Sequence, residues 1–120
     1  MADDYADRFN NALQRAWDMP VRAAQYPASE RAFVKQLSIR FVPSDCYQLK
    51  DSKTKGGFRY VTVEKHLAGT YFKYNGNNGY IGPPAAPGSL SAYHQAVADA
   101  FTHYTWHESK NTVMVCDVQG

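Results

Sequence analysis

Residues 81–89 read IGPPAAPGS, three prolines and two glycines in nine positions. Proline fixes φ and lacks the N–H that a helix or a ladder needs, and glycine makes any regular element entropically costly, so regular structure is excluded here. The stretch therefore divides the chain into two structural halves joined by a surface connection. With 120 residues, the usual size of one domain and long enough for a single core, the chain is read as one domain or part of one.

Ahead of the break, residues 4–18, DYADRFNNALQRAWD, place Tyr5, Phe9, Ala12, Leu13, Ala16 and Trp17 at spacings of three and four. That is the apolar face of an amphipathic helix, which Met19 and Pro20 interrupt because a residue before proline is pushed out of the α region. A second helix is predicted over 28–37, with Ser29 as its cap and Ala32, Phe33 and Leu37 facing inward. From residue 38 the period changes to two. IRFV and CYQL alternate apolar with polar residues, and FRYVTVE follows the polar, glycine-ended turn KDSKTKGG, predicting strands and a hairpin over 45–64. Beyond the break, Leu90, Tyr93, Val97, Phe101 and Tyr104 share one stripe of a helix over 90–106, capped by Ser89 or Ser91. After a turn at 109–111, TVMVCDV is apolar on both faces, the pattern of a strand buried on two sides. The expected fold class is α+β: helices, a mostly antiparallel sheet, a linker, a helix and one buried strand.

Charge and cysteine usage narrow the function classes. Thirteen Lys plus Arg against eleven Asp plus Glu leave a formal charge of +2, too small and dispersed for a nucleic-acid surface. No apolar run approaches the roughly 18–20 residues that span a bilayer, and MADDYADRF carries acids where a secretory leader needs positive charge. Cys46 and Cys116 lie seventy positions apart with no ligand-spaced neighbour, and read as buried free thiols of a reducing compartment. The expectation is a soluble, cytoplasmic chain with no nucleic-acid or membrane partner. His103 and His107 stand four apart, but no acid or thiol completes a ligand set on that face, so no metal site is expected within the chain.

Three places have the chemistry of a site. Asp117 follows the last apolar run, where a fixed carboxylate either orients or deprotonates a hydroxyl or simply caps the next turn. Glu64 closes the second hairpin strand, where the bland reading is a solvent-facing strand end. The segment containing Lys73, Tyr74, Asn75, Asn77, Asn78 and Gly79 readily takes positive φ, so its N–H groups either converge on a phosphate or close a turn.

Four stretches, in this order, resemble the alpha-type (atypical) protein kinases: IRFVPSDCYQL at 39–49, VEKHLAGTYFKYNGNNG at 63–79, AFTHYTWHES at 100–109 and VMVCDVQG at 113–120. The resemblance implies a partial kinase domain, with residues 1–64 an N-lobe portion, 65–88 the hinge and inter-lobe linker, and 89–120 the start of the C-lobe. It implies that Asp117 is catalytic with Gln119 as its hydrogen-bonding neighbour. It also places Glu64 in the hinge toward adenine, and Lys73 and Asn75 among the nucleotide-binding residues. ATP and Mg2+ are the implied cofactors, and a protein serine or threonine hydroxyl the implied substrate. The family's phosphate-binding lysine, its second, metal-binding aspartate and its zinc site would lie outside residues 1–120, so negligible turnover is expected from these residues alone. The alternative expectation is a non-catalytic remnant or protein-interaction module on a kinase-like scaffold, using an aromatic surface drawn from nine tyrosines and six phenylalanines.

Overall fold

The computed structural model describes residues 1–120, apart from the side chains of residues 22 and 23. Helix α1 spans Ala2–Asp18, α2 Pro20–Gln25, α3 Ala28–Val34 and α4 Leu90–Glu108; strands β1, Ser44–Lys50, and β2, Phe58–Glu64, lie between α3 and α4. The α+β class holds, with the sheet reduced to one antiparallel hairpin.

α1 forms where its apolar spacing predicts. Asp3 and Asp4 in the first turn complement the positive end of the helix dipole. Met19 adopts an extended conformation, as the residue before a proline must, and Pro20 then begins α2, a single short helix that the periodicity did not announce. α3 ends three residues earlier than expected, at Val34. Its N-cap is Pro27, so Ser29 lies inside the first turn and caps nothing. The chain then tightens through bonds from Gln36 N to Phe33 O and from Leu37 N to Val34 O, each 3.0 Å. This tighter winding rotates the buried side: Val34 and Leu37 are interior while Ala32 is exposed.

The core is the seam between α1 and α4. Ala6, Phe9 and Phe101 are buried together, with Leu13, Ile39, Val97, Tyr104, Val115 and Val118 packed around them. Phe9 meets Phe101 and Tyr104 edge to face, with ring centroids 5.4 and 5.5 Å apart, the geometry that aromatic quadrupoles favour. The N-cap of α4 is Ser89, whose hydroxyl accepts the Ala92 N–H at 3.2 Å, one of the two caps the sequence offered. α3 is tied to α4 by the Tyr93 hydroxyl, which donates to Glu30, and by an edge contact between Phe33 and Tyr93.

β1 and β2 pair in the register Ser44 to Glu64 through Lys50 to Phe58. Residues directly opposite share a face, so Tyr47, Leu49, Val61 and Val63 line one side and Cys46, Gln48, Phe58 and Tyr60 the other. Nothing among the described residues covers either side. The hairpin extends away from the helices, giving extents of 63 × 33 × 25 Å and a radius of gyration of 18.0 Å, against about 14 Å for a compact chain of this length. Cys46 is exposed on this hairpin and Cys116 is partly buried, so the two thiols are free but not the buried pair expected.

Two predicted strands are not strands. IRFV runs extended without a strand partner because the Asn10 side chain takes both backbone groups of Ile39: Asn10 Nδ2 donates to Ile39 O at 2.8 Å, and Ile39 N donates to Asn10 Oδ1 at 2.9 Å. One amide thus replaces a neighbouring strand. The segment TVMVCDV also forms no strand and stays outside the hairpin sheet: Val115 N donates to Thr105 Oγ1 at 2.9 Å and Val118 N to Asn75 Oδ1 at 3.1 Å. Side chains from other elements occupy the groups a ladder would use. Val115 and Val118 pack on the core, but Met114 is 50% exposed, so burial is one-sided. No helix is long and apolar enough to cross a membrane among the described residues.

Candidate functional site

The residues singled out in the sequence meet where the segment at 71–75 runs antiparallel to the segment at 117–120. Phe72 and Gly120 exchange both backbone bonds, at 2.7 and 2.9 Å, and Tyr74 N donates to Val118 O at 2.9 Å. Lys73 stands opposite Gln119 in this short pairing. Alternation then puts Tyr71, Lys73 and Asn75 on one face, together with Asp117 and Gln119. Their side chains reach diagonally across the pair, the second-neighbour contact available to long side chains on a sheet face.

Lys73 Nζ lies 2.5 Å from Asp117 Oδ1, with both side chains a little under half exposed. The hydrogen bond that the Lys73 ammonium donates to Asp117 holds it above the ordinary lysine value, against a smaller opposing effect of burial. The Tyr71 hydroxyl donates to Gln119 Oε1, which leaves the Gln119 amide N–H groups free to face a ligand. Asp117 itself has φ of 66°, in the left-handed region that a residue other than glycine enters at a cost of about 1 kcal/mol or more. Asp and Asn tolerate it best, because their short polar side chains bond locally.

Asp117 and Gln119 lie on the wall of a groove of about 380 Å³ whose other walls are the extended strip at 38–42, Glu64 at the end of β2, and Leu67. Three of the five predicted site residues, Glu64, Asp117 and Gln119, therefore line one cavity. Lys73 joins them through Asp117. Asn75 is buried, with its amide committed to Val118, Thr102 and Asp99. Gly82 makes this packing possible: a Cβ there would stand 2.5 Å from Gln95 Oε1 and 3.2 Å from the carbonyls of Lys73 and Tyr74. The asparagine-rich loop resolves as a turn, in which Gly76 N donates to Tyr80 O and Tyr80 N to Asn78 Oδ1.

Sequence reasoning missed Tyr71, Thr102, Thr105 and Arg40. Tyr71 had a signal, the alternation of Tyr71, Lys73 and Asn75. Thr105 had only its place in the AFTHYTWHES stretch: it is fully buried, donates to Thr102 O at 2.8 Å and accepts from Val115 N. Arg40 lines the same groove and adds a cation to its wall. His103 and His107 are both exposed, and no group of three or more His, Cys, Asp or Glu is placed to hold a metal ion among the described residues.

The Alpha-kinase family profile matches residues 1–120, the whole chain. Among characterised proteins, the chain is similar to the alpha-protein kinase vwkA of Dictyostelium discoideum, at 33% identity over 95 residues, which cover 73% of this chain. The match spans only 13% of that relative's length. No solved structure matches the chain. A profile match over every residue, joined to a relative at this identity, establishes that the chain belongs to the alpha-kinase family.

Proposed function

We propose that this chain forms the hinge, the inter-lobe connection and the catalytic loop of an ATP-dependent serine/threonine protein kinase. In this reading residues 1–64 belong to the N-lobe, 65–88 to the hinge and linker, and 89–120 to the start of the C-lobe. The observation that carries it is the convergence of Glu64, Asp117 and Gln119 on one groove, with Lys73 bonded to Asp117. The groove's chemistry suits a nucleotide. Ile39, Val42 and Leu67 offer apolar surface for a base, Glu64 an acceptor at the hairpin end, and Arg40 positive charge for phosphates, with the Lys73 ammonium paired to Asp117 beside the groove.

The Asp117 carboxylate orients the substrate hydroxyl and takes its proton as the oxygen attacks the γ-phosphorus, the bond to the β-phosphate oxygen breaks, and ADP leaves. Lys73 holds that carboxylate in place and stands ready to bind a phosphoryl oxygen. Gln119, oriented by Tyr71, donates from its amide to the same region. Mg2+, bound with the nucleotide, supplies charge neutralisation on the phosphates. Catalysis in such a site is positioning and charge stabilisation, which is why a fixed carboxylate matters more than a reactive one.

The test is a chimera in which residues 1–120 replace the matching segment of the Dictyostelium kinase. Asp117→Asn is expected to lower phosphorylation of a peptide substrate by about 100-fold or more, the usual weight of a positioned general base. Equal phosphorylation by both chimeras removes Asp117 from the mechanism.

A second reading has one observation in its favour, the uncovered apolar side of the hairpin formed by Tyr47, Leu49, Val61 and Val63. A non-catalytic protein-interaction module would use that side. An inactive chimera whose parent kinase is active under the same assay favours it.

A further inference from the structure

Asn75 and Thr105 are the buried polar side chains among the described residues, and both bond to the segment that carries Asp117. Thr105 Oγ1 accepts the Val115 N–H at 2.9 Å; Asn75 Oδ1 accepts the Val118 N–H at 3.1 Å. Between these two anchors lie Cys116 and Asp117, with Asp117 in its left-handed conformation. A residue in that region relaxes to extended backbone unless its surroundings hold it, and relaxation would swing the carboxylate away from Lys73.

The Asn75 amide has no freedom to do anything else. Nδ2 donates to Thr102 Oγ1 at 3.1 Å and to Asp99 Oδ1 at 3.4 Å, so both amide hydrogens are taken, and Oδ1 is taken by Val118. Thr102 Oγ1 in turn donates to Ala98 O, and Asp99 accepts from Gln95 Nε2, which fixes the direction of every bond in the chain. Turning the amide over would set Oδ1 against the Asp99 carboxylate and Nδ2 against the Val118 N–H, two donor–donor or acceptor–acceptor clashes. At 8% exposure, Asn75 offers no polar atom to a ligand.

We infer that Asn75 is a positioning residue for Asp117, locking the peptide that follows it to α4, and not a nucleotide ligand. This rests on the kinase reading for its catalytic consequence, but its structural half stands alone. On this inference Asn75 stands apart from the nucleotide-binding residues with which the sequence expectation grouped it.

The experiment has two readouts. In the 120-residue chain, Asn75→Ala is expected to speed amide hydrogen exchange at Val118 by about 10-fold, the loss of one buried hydrogen bond, while Phe101 in α4 keeps its protection as a check on folding. In the chimera, the same substitution is expected to lower kcat by about 10-fold or more with KM for ATP within about twofold. Asn75→Asp should be worse than Asn75→Asp combined with Asp99→Asn, because the swapped pair restores a donor facing an acceptor while keeping an oxygen for Val118. A raised KM for ATP with kcat retained overturns the proposal by making Asn75 a nucleotide contact. Unchanged Val118 protection in Asn75→Ala overturns it as well. If Asp117→Asn leaves the chimera unaffected, the kinase reading fails by itself, and Val118 exchange then decides the anchor.

Discussion

The helical body and the hairpin are built from equally regular patterns and meet opposite fates. Along α4, Phe101 and Thr105 lose all contact with solvent, and Phe9 of α1 packs its ring against Phe101. Along β1 and β2, every residue but Val61 is exposed, although alternation there is as clean as the spacing of α1. The difference teaches that a period specifies which side chains share a face, whereas burial depends on whether another element reaches that face. α1 and α4 supply each other's cover; the hairpin has both faces open. A two-stranded hairpin is marginal by itself, so what holds this one is its register and its attachment to the body.

The sharpest way to break that contrast is to remove the shared ring. Phe101→Ala is expected to destabilise the chain by about 3–5 kcal/mol, the transfer loss of a fully buried aromatic plus the cavity left behind, measured by urea unfolding. A loss below about 1 kcal/mol, the level of an ordinary surface change, would show that the seam of α1 and α4 is not the core. A smaller effect, about 1–3 kcal/mol by overpacking, is expected for Gly82→Ala, whose Cβ must displace Gln95 from its bonds to Tyr74 O and Asp99. The same unfolding curves check it, and a neutral result would mean that the Gln95 side chain moves aside freely. The least effect belongs to the hairpin. Tyr60 is 67% exposed and shares only a surface hydrogen bond with Gln48, so Tyr60→Ser should change stability by no more than about 0.5 kcal/mol. A loss near that of Phe101→Ala would show that this face is covered in solution, and the comparison would collapse.

The site divides along the same line. Its residue types were readable, since Asp117, Gln119, Glu64 and Lys73 fall in motifs whose order is distinctive. Their grouping was only partly readable: Glu64 lies 53 positions before Asp117 in the chain, and the groove between them depends on the extended strip at 38–42. The sequence could not assign a role to Asn75, because an asparagine in a glycine-rich loop carries the same local signal whether it turns the chain, binds a phosphate or anchors a distant peptide. Its partners on α4 distinguish the three.

The misplaced strands share one cause. IRFV and TVMVCDV have strand composition, yet Asn10, Thr105 and Asn75 satisfy their backbone groups from other elements. Such side-chain substitutes for a ladder join positions from 10 to 43 residues apart and leave no periodic mark. What the sequence determined by itself was local: α1, α4 with a serine cap, the hairpin and the ordered motifs, all set by interactions within a few residues or by strict alternation. Tertiary structure alone decided which faces are covered, which extended segments become strands, and how Lys73 comes to hold Asp117. Those outcomes turn on buried polar groups finding partners far along the chain, where leaving a single one unmatched costs about as much as a hydrogen bond contributes.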